Sequence, residues 1–465
     1  MKVRHQDIEI QEDDPFKNCK LGRAKYAEVL TNIIGSYSDG FVMAINNEWG
    51  TGKTTFVKMW QQYLKNHEFQ TLYFNAWEND FESNPLIALL SELKTLIPKG
   101  DNANFKSLLA KGALITKTVL PGIAEAIAKK YIDTEGVSEA IAKLTEAASD
   151  ILKEEIDEYA TKKKGLVDFK KQLEGFVKKN NDGKPLIFLI DELDRCRPTY
   201  AVEVLEQVKH FFSVPGIIFV LSVDKTQLGN AIKGFYGNNE INSNEYLRRF
   251  IDLEFTIPRP NTEEFCRYLY KYFQFDDFLF SDGRKRHPEL KDDKQSLLRF
   301  SIILFENGDA TLRQQEKIFS HARIVLNLFK ENNYIFPTLY ILLIYVKTFH
   351  AELYEKIKYR KLDVQDLLIQ MKVVYPVKIK DDDARIFAYT EALLAQFYHN
   401  YYRDIDYESK LLEYDNEAKE YRTPIKPVSD AGFLSALNSF RHTNFDTLKI
   451  DYLLNKIDLT ESLSI

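Results

Sequence analysis

Apolar residues along the chain collect in short unbroken runs separated by longer stretches of helical spacing. Gly40 to Asn46 (GFVMAIN), Thr71 to Ala76 (TLYFNA), Leu186 to Ile190 (LIFLI) and Gly216 to Val223 (GIIFVLSV) have the continuous apolar character of strands buried on both faces. Ile251 to Ile257 (IDLEFTI) alternates apolar and polar residues, which predicts a strand half exposed at a sheet edge, closed by Pro258 and Pro260. Phe56, Trp60, Tyr63 and Leu64 fall at the spacing of one buried helix face, and Ala201, Val204, Leu205, Val208, Phe211 and Phe212 make a second such stripe. Strand and helix alternating in this way predict an α/β fold: a parallel sheet with covering helices.

Residues 101 to 182 interrupt the sheet with Ala, Lys and Glu-rich sequence, including SEAIAKLTEAASDILKEEIDEYA and FKKQLEGFVKK, and predict a large helical insert. After Pro260 the pattern is helical to the end, beginning with a capping pair, Asn261 and Glu264. The longest uncharged stretch, Asn332 to Val346 (NNYIFPTLYILLIYV), is shorter than the roughly 18 apolar residues that cross a bilayer. It predicts a buried helix with Pro337 in its first turn. Phe280 to Lys294 (FSDGRKRHPELKDDK) predicts a mobile loop.

A chain of 465 residues exceeds what one hydrophobic core accommodates, so at least two structural units are expected. With 45% hydrophobic and 28% charged residues it has the composition of a chain that folds. A net charge of −6 supplies no overall attraction for nucleic acid or an anionic membrane. The basic runs Lys162 to Lys164 and Arg284 to Arg286 are short and read as solvated faces. Cys19, Cys196 and Cys266 stand in no metal-ligand pattern, and the N-terminal residues lack the apolar core of a signal peptide; both features predict a cytoplasmic protein.

The candidate chemistry lies where the apolar runs end. After the first run, Asn47 to Thr55 reads NEWGTGKTT and fits GxxxxGK[ST], except that Asn47 stands where the first glycine belongs. Asn best tolerates left-handed backbone angles among the non-glycine residues, so Asn47 is expected to do that glycine's conformational work. The backbone through Glu48, Trp49, Gly50, Thr51 and Gly52 would curl around phosphates with its N–H groups inward, at the positive end of the following helix. Lys53 would meet the β- and γ-phosphates, Thr54 would ligate Mg²⁺ and Thr55 would meet the α-phosphate of a bound nucleotide.

The third run ends in a second motif, KPLIFLIDELDRCRP (Lys184 to Pro198), which places Asp191 near Mg²⁺ and Glu192 where it can orient and deprotonate an attacking water. This is the Walker B arrangement of a hydrolysing ATPase. The fourth run emerges at Ser222 and Asp224, candidate sensors on the γ-phosphate side. Arg195, Arg248, Arg249 and Arg313 are candidates for spreading transition-state charge, and each would serve equally as a surface or structural ion pair.

These segments together resemble the KAP family of P-loop NTPases, in the wider AAA-like and STAND-like division. The resemblance is carried by LGRAKYAEVL (Leu21 to Leu30), NEWGTGKTT, FNAWEND (Phe74 to Asp80), IDELDRCRP (Ile190 to Pro198), VDKTQL (Val223 to Leu228) and YLRRFIDLEFTIP (Tyr246 to Pro258), with TLRQQEKIFSHARIVLN (Thr311 to Asn327) a weaker match. It implies a sheet ordered 5-1-4-3-2, an adenine pocket built partly from Leu21, Arg23 and Tyr26, and a helical lid. The expected organisation is an NTPase core from 1–100 and 183–260, the insert at 101–182, the lid at 261–350 and a helical region at 351–465. Family members often carry transmembrane helices in the insert, but here LAKGALITKTVLPGIAEAIAKKYI is broken by Lys111, Lys117, Glu125 and Lys129. A chain without spans or repeats resembles the bacterial, defence-associated kind.

Three functions compete: a regulatory ATPase that uses ATP and Mg²⁺ to switch conformation or assembly, as a homo-oligomer or with a companion effector protein; a P-loop phosphotransferase; and a nucleotide-binding scaffold with little hydrolysis. Glu192 beside Asp191 favours water as the acceptor over a second substrate.

Overall fold

The computed structural model describes residues 8–37, 39–82, 84–96, 108, 151–180, 183–210, 212–308, 310–375, 381–403, 410–417, 419–428, 432–441 and 443–459. All five apolar runs form strands: β1 Val42–Asn46, β2 Thr71–Asn75, β3 Leu186–Asp191, β4 Ile217–Val223 and the short β5 Leu253–Phe255. They make one parallel sheet in the order β2-β3-β4-β1-β5, the expected 5-1-4-3-2 read from the other edge. β5 is the edge strand its alternation predicts, with Leu253 exposed.

Burial on both faces explains the unbroken apolar runs, because successive side chains of a strand point to opposite sides. Leu186, Phe188 and Ile190 of β3 join Ile217, Phe219 and Leu221 of β4 in one core, with helices α3 Pro85–Lys94 and α5 Pro198–His210. Helix α4, Ile151–Asn180, adds Phe169, Leu173 and Phe176 to this core. Ile187, Leu189, Ile218 and Val220 face the other way, into a core with α1 Ala24–Gly35 and α2 Lys53–Asn66. There Trp60 is fully buried and satisfies its indole N–H on the Thr31 hydroxyl at 3.0 Å, which fixes α2 against α1. Of the expected insert, Leu108 and α4 are described; the segment broken by Lys111, Lys117, Glu125 and Lys129 lies outside the described residues. Among the described residues no helix is long and apolar enough to cross a membrane.

The described residues divide into two compact units, one with the sheet that ends at residue 259 and one that begins at residue 260. In the second unit, Asn261 caps helix Thr262–Tyr272 by accepting from the Glu264 N–H at 3.0 Å. Pro337 opens the helix Pro337–Phe349, which is buried through Thr338 to Val346 as its apolar run predicts. Two expectations fail there. The C-terminal region contains an antiparallel hairpin, β6 Glu413–Asp415 and β7 Glu420–Arg422, since alternating Glu, Tyr and Asp or Arg carries too little apolar periodicity to announce strands. Phe280 to Lys294 is ordered rather than a mobile loop, because Arg284 is buried there and paired with Asp293.

Candidate functional site

Parallel strands bring the carboxyl ends of β1 to β4 to one end of the sheet. In register, Asn75 ends β2 beside Asp191 of β3, Asp191 lies beside Ser222 of β4, and Asn46 of β1 lies beside Val223. The carboxyl ends of the strands in an open α/β sheet form the crevice that takes ligands. The loop from Asn47 to Gly52 leaves β1 at this edge and delivers the chain to α2.

Gly50 (φ 79°) and Gly52 (φ 80°) both occupy the left-handed region that glycine alone enters without cost. Gly52 is the N-cap of α2 and offers no side chain to its first-turn N–H groups, so that helix end presents open donors and positive dipole. Lys53 is buried, and its ammonium donates to the carbonyls of Asn47 and, at 3.2 Å, Glu48. Burial lowers its pKa from the ordinary lysine value, while Asp194, Asp224 and Asp191 oppose that shift. Thr54 and Thr55 follow in the first turn, half-buried. Thr51 donates its hydroxyl to the Glu48 carbonyl at 2.8 Å, closing the loop on itself.

Asn47 is not in a left-handed conformation; it is absent from the described non-glycine residues of positive φ. Its side chain instead ties the loop to the sheet edge, because the amide donates to the Ile257 carbonyl and accepts from the Ile257 N–H, both at 2.8 Å. A glycine could not make this two-way clasp on the chain leaving β5. Asn47→Gly should therefore destabilise the protein by about 2–4 kcal/mol, from two lost hydrogen bonds on a buried backbone and added chain entropy. Urea denaturation checks this; a midpoint equal to the wild type's would restore the conformational explanation.

Arg23 is buried and grips the loop from outside, donating to the carbonyls of Gly52 at 3.0 Å and Thr51 at 2.7 Å. Burial lowers its pKa from the usual arginine value. Its guanidinium braces phosphate-loop carbonyls, a bracing role that loop spacing alone does not announce. Tyr26 is half-buried against Phe255 with ring centroids 6.1 Å apart, and Leu21 is half-buried.

At the end of β3, Asp191 is 1% exposed; one carboxylate oxygen accepts the Glu192 N–H at 2.9 Å and the other the Tyr73 hydroxyl at 3.1 Å. That hydroxyl's pKa is pushed above the ordinary tyrosine range by burial first and Asp191 second. Glu192 has φ 60°, an uncommon left-handed backbone for a side chain of this size, and such strain persists where the surrounding structure holds it. One of its oxygens is ion-paired with Arg195 at 2.9 Å, and the other accepts from the Asn75 amide at 3.2 Å. Asp194, whose pKa burial raises, accepts from the indole N–H of Trp49. Motif spacing gives neither Asn75 nor Asp194 a place in the site; the pairing of β2 with β3 is what reveals Asn75.

Ser222 is fully buried and its hydroxyl lacks a hydrogen-bond partner, whereas Asp224 caps the helix α6 Lys225–Tyr236 through the N–H groups of Thr226 and Gln227. Arg248 is exposed and paired with Glu245 at 2.5 Å, and Arg249 is exposed. Arg313 is exposed in the first turn of the helix Leu312–Leu326, within the second compact unit.

Hard oxygen donors from Asp191 and Thr54 fit a Mg²⁺ shared with phosphates, the usual way that ion is held. The glycine loop, open helix end and Lys53 fit the anion itself. The profile of the KAP family P-loop domain matches residues 23–329 of this chain. Among solved structures, the Aeropyrum pernix ORC2 protein (ADPNP–ADP complexes) is similar at 14% identity over 95% of both chains, with a TM-score of 0.31. No curated protein matches.

Proposed function

Because this chain belongs to the KAP family of P-loop NTPases, we propose that it binds ATP with Mg²⁺ and hydrolyses it to switch conformation or assembly. One observation carries the reading: Trp49 of the loop donates its indole N–H to Asp194, just past the end of β3, while β1, β3 and β4 run parallel in register, so the phosphate loop and the acidic strand end lie side by side. Lys53 would meet the β- and γ-phosphates, with N–H groups from Glu48 to Thr55 around the chain of phosphates. Thr54 and Asp191 would hold Mg²⁺, which neutralises charge that builds on the γ-phosphoryl oxygens. Glu192 would orient water and take its proton.

Ser222, a buried donor with no partner, suits the γ-phosphate side better than Asp224, whose oxygen is already committed to a helix cap. Leu21 and Tyr26 remain candidates for the adenine side. Arg248 and Arg249 are exposed, which suits reaching a nucleotide on a second copy of this chain; Arg313 is the third candidate for that role. A regulatory role in bacterial defence, with a companion effector, rests on the family resemblance alone, and the neighbouring genes test it.

ATP titration and phosphate release, with Mg²⁺ and with a chelator, test the proposal. Lys53→Ala should lower ATP affinity by about 30- to 1,000-fold, the range expected when one side of a buried charge pair is removed. Its thermal midpoint should stay near the wild type's, because Lys53 contributes a charge that burial disfavours. Equal affinity in a folded Lys53→Ala protein would refute the nucleotide site. ATP binding with no Mg²⁺-dependent phosphate release would leave a scaffold instead.

A further inference from the structure

The chain that leaves β7, Thr423 to Val428 (TPIKPV), is bonded to two helices of its own unit, Val364–Gln370 and Asp381–Arg403. The Gln365 amide clasps one residue of it in both directions: its oxygen accepts the Lys426 N–H at 2.8 Å and its nitrogen donates to the Lys426 carbonyl at 3.1 Å. Glu391, fully buried in the longer helix, accepts the Val428 N–H on a carboxyl oxygen at 2.6 Å. The Thr423 hydroxyl accepts the Ile425 N–H at 3.2 Å. Prolines occupy the two remaining positions, Pro424 and Pro427, so every N–H from Pro424 to Val428 has an acceptor. Side chains hold the segment far less. Among the described residues from 412 to 428 none is buried, whereas Leu367, Leu368, Leu393 and Leu394 of the two helices are.

We propose that this helix face is a recognition site for a proline-spaced peptide of a partner protein, and that the chain's own Thr423 to Val428 fills it as a displaceable strap. Main-chain hydrogen bonds supply affinity with little demand on side chains, so another peptide that spaces its N–H groups and prolines in the same way can enter the same clasp. The prolines lower the entropy lost on binding, because they fix their own φ and keep the residue before each of them extended. Gln365 and Glu391 stay in place when the strap lifts, since the helices that carry them are anchored by buried leucines. The strap, with no buried side chain of its own, belongs to the parts of a fold that open at low cost. A partner of this chemistry would bind the second unit by competing with the chain's own segment, whatever the nucleotide site does.

The probe is a fluorescently labelled synthetic peptide of Tyr421 to Val428 (YRTPIKPV), titrated onto the full chain and followed by anisotropy. Lys426→Pro in the chain deletes the N–H that Gln365 accepts and should free the site. That variant should bind the peptide about 10- to 100-fold more tightly than the wild type, because affinity scales with the fraction of chains whose strap is open. Adding Gln365→Ala should cost most of the gain, and a peptide carrying the same Lys426→Pro change should bind neither protein. Hydrogen exchange on the wild-type chain reads displacement without any substitution: excess peptide should speed exchange at the Lys426 and Val428 amides and leave the buried helix Pro337–Phe349 unchanged. Peptide that binds neither chain, or binds equally with and without Gln365, would overturn the proposal, as would Lys426 and Val428 amides that exchange no faster in excess peptide.

Discussion

Glu192→Gln is expected to cut ATP turnover by about 10² to 10⁴ fold, the usual contribution of a general base, while ATP binding persists. The substitution keeps the length of the side chain and one acceptor oxygen. It removes the charge and turns the second oxygen into a donor that faces either the Asn75 amide, which donates to Glu192 now, or Arg195, its ion-pair partner. The groups proposed for the metal, Asp191 and Thr54, are untouched, as is Lys53. The left-handed backbone at Glu192 is tolerated or strained equally by Gln, so stability should change little. The variant should accumulate in its ATP-bound form, with any ATP-dependent oligomer or partner complex stable enough to isolate. Single-turnover phosphate release together with ATP titration checks both halves; turnover at the wild-type rate would remove Glu192 from the reaction, and loss of binding would assign it to the metal site or the fold.

Arg284→Ala should cost about 3–5 kcal/mol, because it strands the carboxylate of Asp293, whose side chain is only 14% exposed. Arg284 is 2% exposed, paired with Asp293, and donates to the carbonyls of Asn333 at 2.9 Å and Glu331 at 3.2 Å, with the Phe278 ring centre 5.0 Å from its guanidinium. Burial holds the Asp293 carboxyl up at about 6, and Arg284 is the group that pulls it down. Removing Arg284 should raise it further. A carboxyl group whose folded value lies above its unfolded one stabilises through its neutral form, and that contribution fades as pH rises from near 4 through the folded value. The variant's deficit should therefore be larger at pH 7 than at pH 5, which thermal melts at the two pH values would show. A deficit equal at both would mean that the carbonyl contacts, and not the stranded carboxylate, account for the loss.

The two sets of residues show how far periodicity reaches. The four unbroken apolar runs and the one alternating run specified the five strands and the exposed edge, because burial on one face or two is written directly into residue spacing. NEWGTGKTT and IDELD located the phosphate loop and the acidic strand end for the same reason: each is a local structure whose chemistry needs particular residues at adjacent positions. Pro337 and Asn261 likewise marked helix starts through backbone preferences that act over a single turn.

Whatever depended on a partner far along the chain stayed hidden. Asn47 looked like a substitute for glycine, and only the return of the chain after β5 shows its amide clasping Ile257, 210 residues away. Arg284 sat in a charged stretch that by composition is loop, and its burial depends on carbonyls of Glu331 and Asn333. Arg195 was one candidate among four for transition-state charge, and only the fold shows it ion-paired with Glu192, beside the Asn75 that the pairing of β2 with β3 brings there. The sequence by itself determined the elements and the chemistry each strand end carries, since both follow from neighbours within a turn or a loop. The tertiary structure alone decided which polar groups satisfy one another across the sheet, because a buried donor or acceptor is satisfied by whatever the fold places beside it.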